Sequence, residues 1–288
     1  MTLKASEFIQ NPDGSVYHLN LLPHQLANTV ITVGDPDRVA QVTKYFDEVE
    51  VKVHKREFHT QTGYYKGKRI SVISTGIGTD NIDIVFNELD ALVNIDFESR
   101  EIKKDLISLD IIRIGTSGAI QKDVALDSFL VSEMGVGFDS LLHFYKADEI
   151  LDIDFAQALK NQLQLKDTNG LPYVVACNKD LASKFSDGYS KGVTVTNCGF
   201  YGPQGRELRL PLSMPDLNDL MASFEFNGKR ITNLEMETAG IYGLSKLLGH
   251  RAVSLNAIIA NRATGAFSVD PGKLVDDLIK LSLEKLVS

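Results

Sequence analysis

The chain has 288 residues, 43% hydrophobic and 24% charged, enough to bury a large core in one big α/β domain or two smaller ones. A formal net charge of −8 works against sequence-independent nucleic-acid binding, which relies on a basic face. No apolar run approaches the roughly 18–20 residues of a membrane helix, and the opening MTLKASEFIQNPDGS lacks the apolar stretch of a secretory signal. Cys177 and Cys198 stand in no metal spacing, so the expectation is a cytoplasmic protein with two free thiols.

The first clear strand is Thr29–Val33, closed by Gly34-Asp35-Pro36. Asp35 or Asp37 can cap a helix running through Phe46, with Pro36 in its first turn and Arg38 one turn inside. A helix N-terminus attracts anions, and an arginine there strengthens the effect. Glu48–Val53 alternates polar and apolar as a half-exposed strand does, and runs into His54-Lys55-Arg56-Glu57-Phe58. Tyr64–Lys68 reads as a hairpin leading to a strand at Arg69–Ser74, which ends in Thr75-Gly76-Ile77-Gly78 before a helix whose stripe is Ile82, Val85, Phe86, Leu89 and Val93. These glycines have neither the Rossmann spacing nor the P-loop ending. Phe97–Leu109, with six charged residues, reads as an exposed helical excursion.

Asp110–Ile114 is a branched apolar run carrying one arginine, Arg113, and is followed by Gly115-Thr116-Ser117-Gly118. A buried strand closed by a Gly/Thr/Ser loop is expected there. An unpaired buried guanidinium would be very costly. Arg113 therefore marks either an anion pocket at the carboxyl edge of the sheet or a structural pair with a carboxylate. Further strands are expected at Ser128–Glu133, Pro172–Cys177, Lys191–Asn197, Ile231–Glu235 and Ala252–Ala260. Helices are expected at Asp154–Lys166, Asp216–Phe226, Glu237–Leu248 and Pro271–Val287. Strands alternate with helices throughout and no linker or repeat interrupts them. The expected architecture is one domain over residues 1–288, a three-layer α/β/α fold with a mixed, largely parallel central sheet.

Three constellations carry chemistry. Gly34, Arg38, Arg113 and Thr116, together with Arg56, would hold a dianionic oxyanion through guanidinium forks and backbone donors. Asn233-Leu234-Glu235-Met236-Glu237 places two carboxylates at a strand-to-helix junction, facing one side if extended, where one could bind vicinal sugar hydroxyls; the alternative is an ordinary acidic helix start. Phe200-Tyr201-Gly202-Pro203-Gln204-Gly205-Arg206 is a stiff loop that could stack on a flat heterocycle and bond its edge, or be a plain surface turn.

With GDPDRV (34–39), HKREF (54–58), STGIG (74–78), RIGTSGAI (113–120), FYGPQGR (200–206), NLEMETAGIY (233–242) and IIANR (258–262) in this order, the chain resembles the nucleoside phosphorylase-I family, above all its uridine-cleaving members. The resemblance implies a nucleoside phosphorylase-like fold and phosphorolysis of uridine to uracil and ribose 1-phosphate, with inorganic phosphate as co-substrate. It implies phosphate binding by Gly34, Arg38, Arg113 and Thr116, with Arg56 from a neighbouring subunit. Thr116, Met236 and Glu237 would hold the ribose, with His18 reaching in from that neighbour. Phe200, Gln204 and Arg206 would hold the base, with Arg262 supporting their loop. Arg113, Glu237 and Arg206 are the implied catalytic residues. A homo-oligomer, dimer or hexamer, with shared active sites is implied, and potassium near Glu57 and Ser74 at a subunit contact. Purine-specific relatives carry an aspartate where this chain has Asn261-Arg262; a purine phosphorylase or nucleosidase is the alternative. Asp80 and Asn81 depart from the small residues or proline that usually follow the TGIG motif.

Overall fold

The computed structural model describes residues 2–166 and 170–288. Strand β1 (Thr29–Val33) leads into helix α1 (Pro36–Thr43), where the Asp35 carboxylate accepts the Asp37 amide at 2.9 Å as an N-cap. Strands β2 (Glu48–Lys55), β3 (Phe58–Tyr65) and β4 (Lys68–Ser74) form an antiparallel arm ahead of α2 (Thr79–Asn94). After the short pair β5 (Ile95–Asp96) and β6 (Glu101–Ile102) come β7 (Asp110–Ala119), β8 (Phe129–Gly137), α3 (Ile153–Gln162) and β9 (Tyr173–Ala176). The remainder is α4 (Lys179–Ser183), β10 (Ser190–Thr196), α5 (Leu217–Ala222), β11 (Glu225–Phe226), β12 (Lys229–Glu235), α6 (Thr238–Leu247), β13 (Arg251–Asn261), β14 (Ala266–Phe267) and α7 (Pro271–Val287).

Twelve strands make one mixed sheet in the order β11-β12-β10-β8-β13-β7-β1-β4-β3-β2, with β14 on β13 and β9 on β8. Its parallel parts are β4-β1-β7-β13 and β8-β10-β12. Side-chain alternation along the first of these splits the core into two layers. Val30, Ile111 and Ala252 pack under α2 and α6, while their chain neighbours Ile31, Ile112 and Val253 pack under α1 and α7. Leu278, Ile279 and Leu283 of α7 are fully buried, each contributing about 1.5–3 kcal/mol by area; Leu278→Ala costs about 2–5 kcal/mol. Beyond β13 the sheet curls: β12 pairs antiparallel with β7 through Asn233↔Ala119 and Leu234↔Gly118, closing β7, β13, β8, β10 and β12 into a ring.

Several expected boundaries move. Gly115–Gly118 is strand rather than loop, because β13 pairs with β7 from Arg251↔Asp110 to Asn261↔Ala119, with one bulge at Ile259 opposite Ser117 and Gly118. No helix forms in 97–109. The Asp96 carboxylate accepts the amides of Glu98 and Ser99 and so offers the backbone a turn instead. Arg100 (φ 57) then anchors the N-terminal segment by donating to the Leu3, Lys4 and Phe8 carbonyls. The first helix stops at Thr43 rather than Phe46, and the third at Gln162 rather than Lys166. The helix expected over Asp216–Phe226 ends at Ala222, since Glu225 and Phe226 pair with Arg230 and Lys229. Among the described residues no helix is long and apolar enough to cross a membrane, and Cys177 and Cys198 are both free.

Candidate active site

The carboxyl ends of β1, β4, β12 and β13 surround a cavity of about 670 Å³ against the second half of β7. Of the residues expected at the site, Gly34, Arg38, Arg113, Thr116, Phe200, Gln204, Arg206, Met236 and Glu237 line it. They come from segments up to two hundred residues apart, so the long-range convergence expected of the motifs is present. A larger cavity of about 780 Å³ lies on the outer side of the 200–206 loop, walled by Phe138, Leu165, Leu208, Leu212 and Leu217, and has no carboxylate in its lining.

Arg113 lines the cavity and is at the same time paired with carboxylates, as the structural alternative expected. Its Nη2 donates to Glu237 Oε2 at 2.7 Å and sits 2.9 Å from Glu235 Oε2, while Nη1 is 3.3 Å from Asn256 Oδ1 and 3.4 Å from Ser254 Oγ. Burial would lower its pKa, yet the two carboxylates outweigh that and leave it raised. Glu237 Oε1 accepts the Gly78 amide at 2.9 Å; Gly78 has φ 96, a conformation glycine takes without steric cost. Burial pushes the Glu237 carboxyl up from its ordinary value, with Arg113 pulling the other way. Glu235 accepts the amides of Glu237 and Thr238 and, at 2.7 Å, the Thr196 hydroxyl, which makes it the fixed start of α6. Arg38, beside this cluster, has its pKa lowered by burial, partly offset by Asp35, and as an arginine stays charged.

The 200–206 loop is rigid for legible reasons. Gly202–Gln204 is a 3₁₀ turn, Gly205 ends it at φ 66, and Arg262 from the end of β13 donates to the Gln204 and Gly205 carbonyls at 3.0 Å each. Arg206 Nη1 donates to Gln204 Oε1 at 2.7 Å and to the Phe200 carbonyl at 2.6 Å, with its guanidinium carbon 3.8 Å from the Phe200 ring centroid. Burial and the charge of Arg262 lower the Arg206 pKa. Because Arg206 can only donate, it turns the Gln204 amide so that its oxygen faces the guanidinium and its nitrogen faces Gly199 O, at 3.2 Å. Asn261 is committed elsewhere: its Nδ2 donates to Gln121 O and Val124 O, and its Oδ1 accepts the Ala263 and Thr264 amides.

Three expected residues do not line the cavity. Arg262 backs the loop as described, whereas His18 and Arg56 meet each other's neighbourhood instead. His18 Nδ1 lies 2.7 Å from Glu88 Oε1, and its ring stands edge-on to Tyr17, over which Arg56 sits at 6.0 Å. Ser74 Oγ donates to the Glu57 carbonyl at 2.6 Å and accepts the His59 amide at 2.7 Å, while Glu57 borders the cavity. No group of three or more His, Cys, Asp or Glu able to hold a metal occurs among the described residues. Glu235 and Ser117, which the sequence placed in the carboxylate pair and the Gly/Thr/Ser segment, also line the cavity, and the expected site left out Asn81, Ile259 and Phe267. Ser117 lies four residues along the strand from Arg113, on the same face. Asn81, Ile259 and Phe267 carry no such signal.

The profile of the phosphorylase superfamily matches residues 28–283, and the chain belongs to that family. Among its relatives, the uridine phosphorylase of Thermococcus kodakarensis is 30% identical over 272 residues, 91% of this chain and 83% of that one. A DeoD-type purine nucleoside phosphorylase of Vibrio cholerae is 27% identical, covering 94% and 98%. Among solved structures, a Trypanosoma brucei nucleoside phosphorylase described as showing uridine phosphorylase activity superposes with a TM-score of 0.87, at 29% identity, over 97% of this chain and 99% of that one.

Proposed function

We propose that this protein is a uridine phosphorylase, one catalytic unit over residues 1–288, converting uridine and inorganic phosphate to uracil and ribose 1-phosphate in pyrimidine salvage. The observation that carries the reading is a single cavity holding the Arg38/Arg113/Glu237 cluster and the Gln204/Arg206 pair together. Its relatives include both uridine and purine phosphorylases, and Asn261 favours the pyrimidine. All its polar atoms serve the backbone, so nothing at that position can protonate a leaving purine.

Phosphate is the nucleophile, so no attacking side chain is needed and the protein works by positioning and electrostatics. Arg38, Arg113, Gly34 and Thr116 orient the phosphate under C1′, where its charge stabilises the developing oxocarbenium ion. Glu237 accepts a hydrogen bond from a ribose hydroxyl, with Met236 and Thr116 beside it. Phe200 stacks on the base, while Gln204 and Arg206 take up the charge left on uracil as the C1′–N1 bond breaks.

In this reading His18 and Arg56 act across a subunit boundary in a dimer or a larger assembly of dimers. Their common surface around Tyr17, away from the chain's own cavity, supports that. Potassium at that boundary would draw on the Glu57 carboxylate and the remaining lone pair of Ser74. Two free thiols fit a cytoplasmic enzyme.

The test is release of free base from uridine, deoxyuridine, thymidine and inosine, each with and without phosphate. Phosphate-dependent release of uracil is expected. Preference for inosine, or release that ignores phosphate, refutes the reading.

A further inference from the structure

The ring of five strands encloses a line of buried polar side chains, one from each strand in turn. It starts at Arg113 on β7 and passes to Asn256 on β13, Ser132 on β8, Thr194 on β10 and Asn233 on β12, returning to β7 at Ser117. The successive distances are 3.3, 2.9, 2.5, 2.9 and 2.9 Å, and every member is buried.

The donors at the Arg113 end of this line follow from chemistry, and the placement of the Asn233 amide sets the rest. A guanidinium only donates, so the Asn256 oxygen must accept and its NH₂ must point to Ser132. The Thr194 hydroxyl has one proton, which goes to Asn233 Oδ1, so Ser132 donates to Thr194. Asn233 then donates to Ser117, whose own proton is left for an acceptor in the cavity it lines. The chain runs one way, from a cation on one part of the cavity wall to a hydroxyl on another.

Asn256 is the joint of this arrangement. Its side chain is fully buried and is the link between Arg113 Nη1 and the rest of the ring. Glu235 and Glu237 both draw on Nη2 and fix one corner of the guanidinium, while Nη1 has only Ser254, at the longer 3.4 Å, besides Asn256. Asn256 is the nearer of the two contacts that hold Nη1 and so fix the plane. We propose that Asn256 is a positioning residue that sets the plane of the Arg113 guanidinium toward phosphate, and that its own orientation is held by the polar ring through Ser132. This goes beyond the assigned site and rests on the reading of Arg113 as a phosphate ligand.

The test uses the full-length protein and Asn256→Leu, a larger side chain of the same branching that removes all three hydrogen bonds of the amide. The expected result is a phosphate KM raised about tenfold, the scale of one lost hydrogen bond to a charged group. The uridine KM should stay near the wild-type value, because Asn233 still donates to Ser117 on the far side of the ring and the base-binding loop does not touch Asn256. A merely structural role would lower Tm or kcat without separating the two KM values. If Asn256→Leu does not fold, Ser132→Ala, which cuts the ring at the next link, is read the same way with a smaller rise of about twofold to threefold. A folded variant with unchanged phosphate KM overturns the proposal. A wild type that never cleaves uridine with phosphate overturns the functional reading instead. Calorimetric phosphate affinity of wild type and variant then decides the placement of Arg113 without reference to turnover.

Discussion

The Arg113 guanidinium lies directly across Gly115: a Cβ there would stand 2.0 Å from Arg113 Nη1 and 2.4 Å from its Cζ. The absent side chain is what lets a strand arginine lie along its own strand to reach Glu235, at the end of the neighbouring β12, and Glu237 just beyond it. Gly115→Ala needs no unusual backbone, since this glycine is ordinary strand. The guanidinium, as the end of a flexible side chain, is what must move. A folded protein with kcat/KM down about 10²-fold is expected, the usual consequence of misplacing a reacting group by an ångström. Steady-state kinetics on uridine and phosphate check it; wild-type kinetics would mean that Arg113 is not held where catalysis needs it.

Arg206 and Arg113 should respond differently to truncation. Arg206 bonds to a carbonyl and an amide and stacks on Phe200, so Arg206→Ala removes no countercharge. It should lower kcat about 10²–10³-fold, the range for a donor aimed at transition-state charge, with little change in Tm. Arg113→Ala strands two buried carboxylates and should in addition cost about 3–5 kcal/mol of stability. Thermal melts beside kinetics separate the two effects. Equal loss of Tm in both variants would contradict the pairing described for Arg113.

The sequence made the edges of the site legible where a single residue has one physical solution. Asp35 or Asp37 beside Pro36 signalled a helix start, which Asp35 caps, and Gln204 and Arg206 two apart in a Gly/Pro turn did meet. What it hid depends on pairing between distant strands. Gly115–Gly118 looked like a loop because glycine and hydroxyl residues punctuate loops, yet β13 on one side and β12 on the other hold it extended. Asn256 gave no signal at all, because an asparagine in an apolar run shows its purpose only when the ring closes around it. The charged stretch at 97–109 misled for the opposite reason: Asp96 and Arg100 spend their polar groups on local backbone and on the N-terminal segment. His18 came from the family resemblance alone and Arg56 from its place beside the other arginines, and neither lines the chain's own cavity.

Acid should affect activity and stability in opposite senses at Glu237. Burial raises its pKa above the ordinary 4.5, with Arg113 opposing. The ribose contact needs the ionised carboxylate, so kcat/KM for uridine should fall on the acid side with an apparent pKa above 4.5. The stability sign is the reverse. A folded pKa above the unfolded one means the proton is bound more tightly in the native state, so this group's contribution is largest at low pH and is lost as pH rises through the folded pKa. Glu237→Gln should therefore abolish the acid limb together with most activity, and should not lower Tm at neutral pH as Arg113→Ala does. An acid limb that persists unchanged in the residual activity of Glu237→Gln assigns the titration to another group.

Shared sites make a sharper prediction than subunit counting. If Arg56 serves the neighbour's cavity and Arg206 its own, then Arg56→Ala and Arg206→Ala subunits are each inactive as homo-oligomers for different reasons. A mixed pair places both changes in one site and leaves the other intact, with Arg206 from one chain and Arg56 from the other. Co-expressing the two variants, or unfolding and refolding them together, should restore phosphate-dependent uracil release that neither shows alone. His18→Ala should complement Arg206→Ala in the same way, because His18 lies on the same surface as Arg56 around Tyr17. His18→Ala mixed with Arg56→Ala should restore nothing if one subunit supplies both residues to the same site, since every site formed in the mixture then lacks one of them. Recovery in that last mixture, or none in the first two, would place these residues in the chain's own site or outside catalysis altogether.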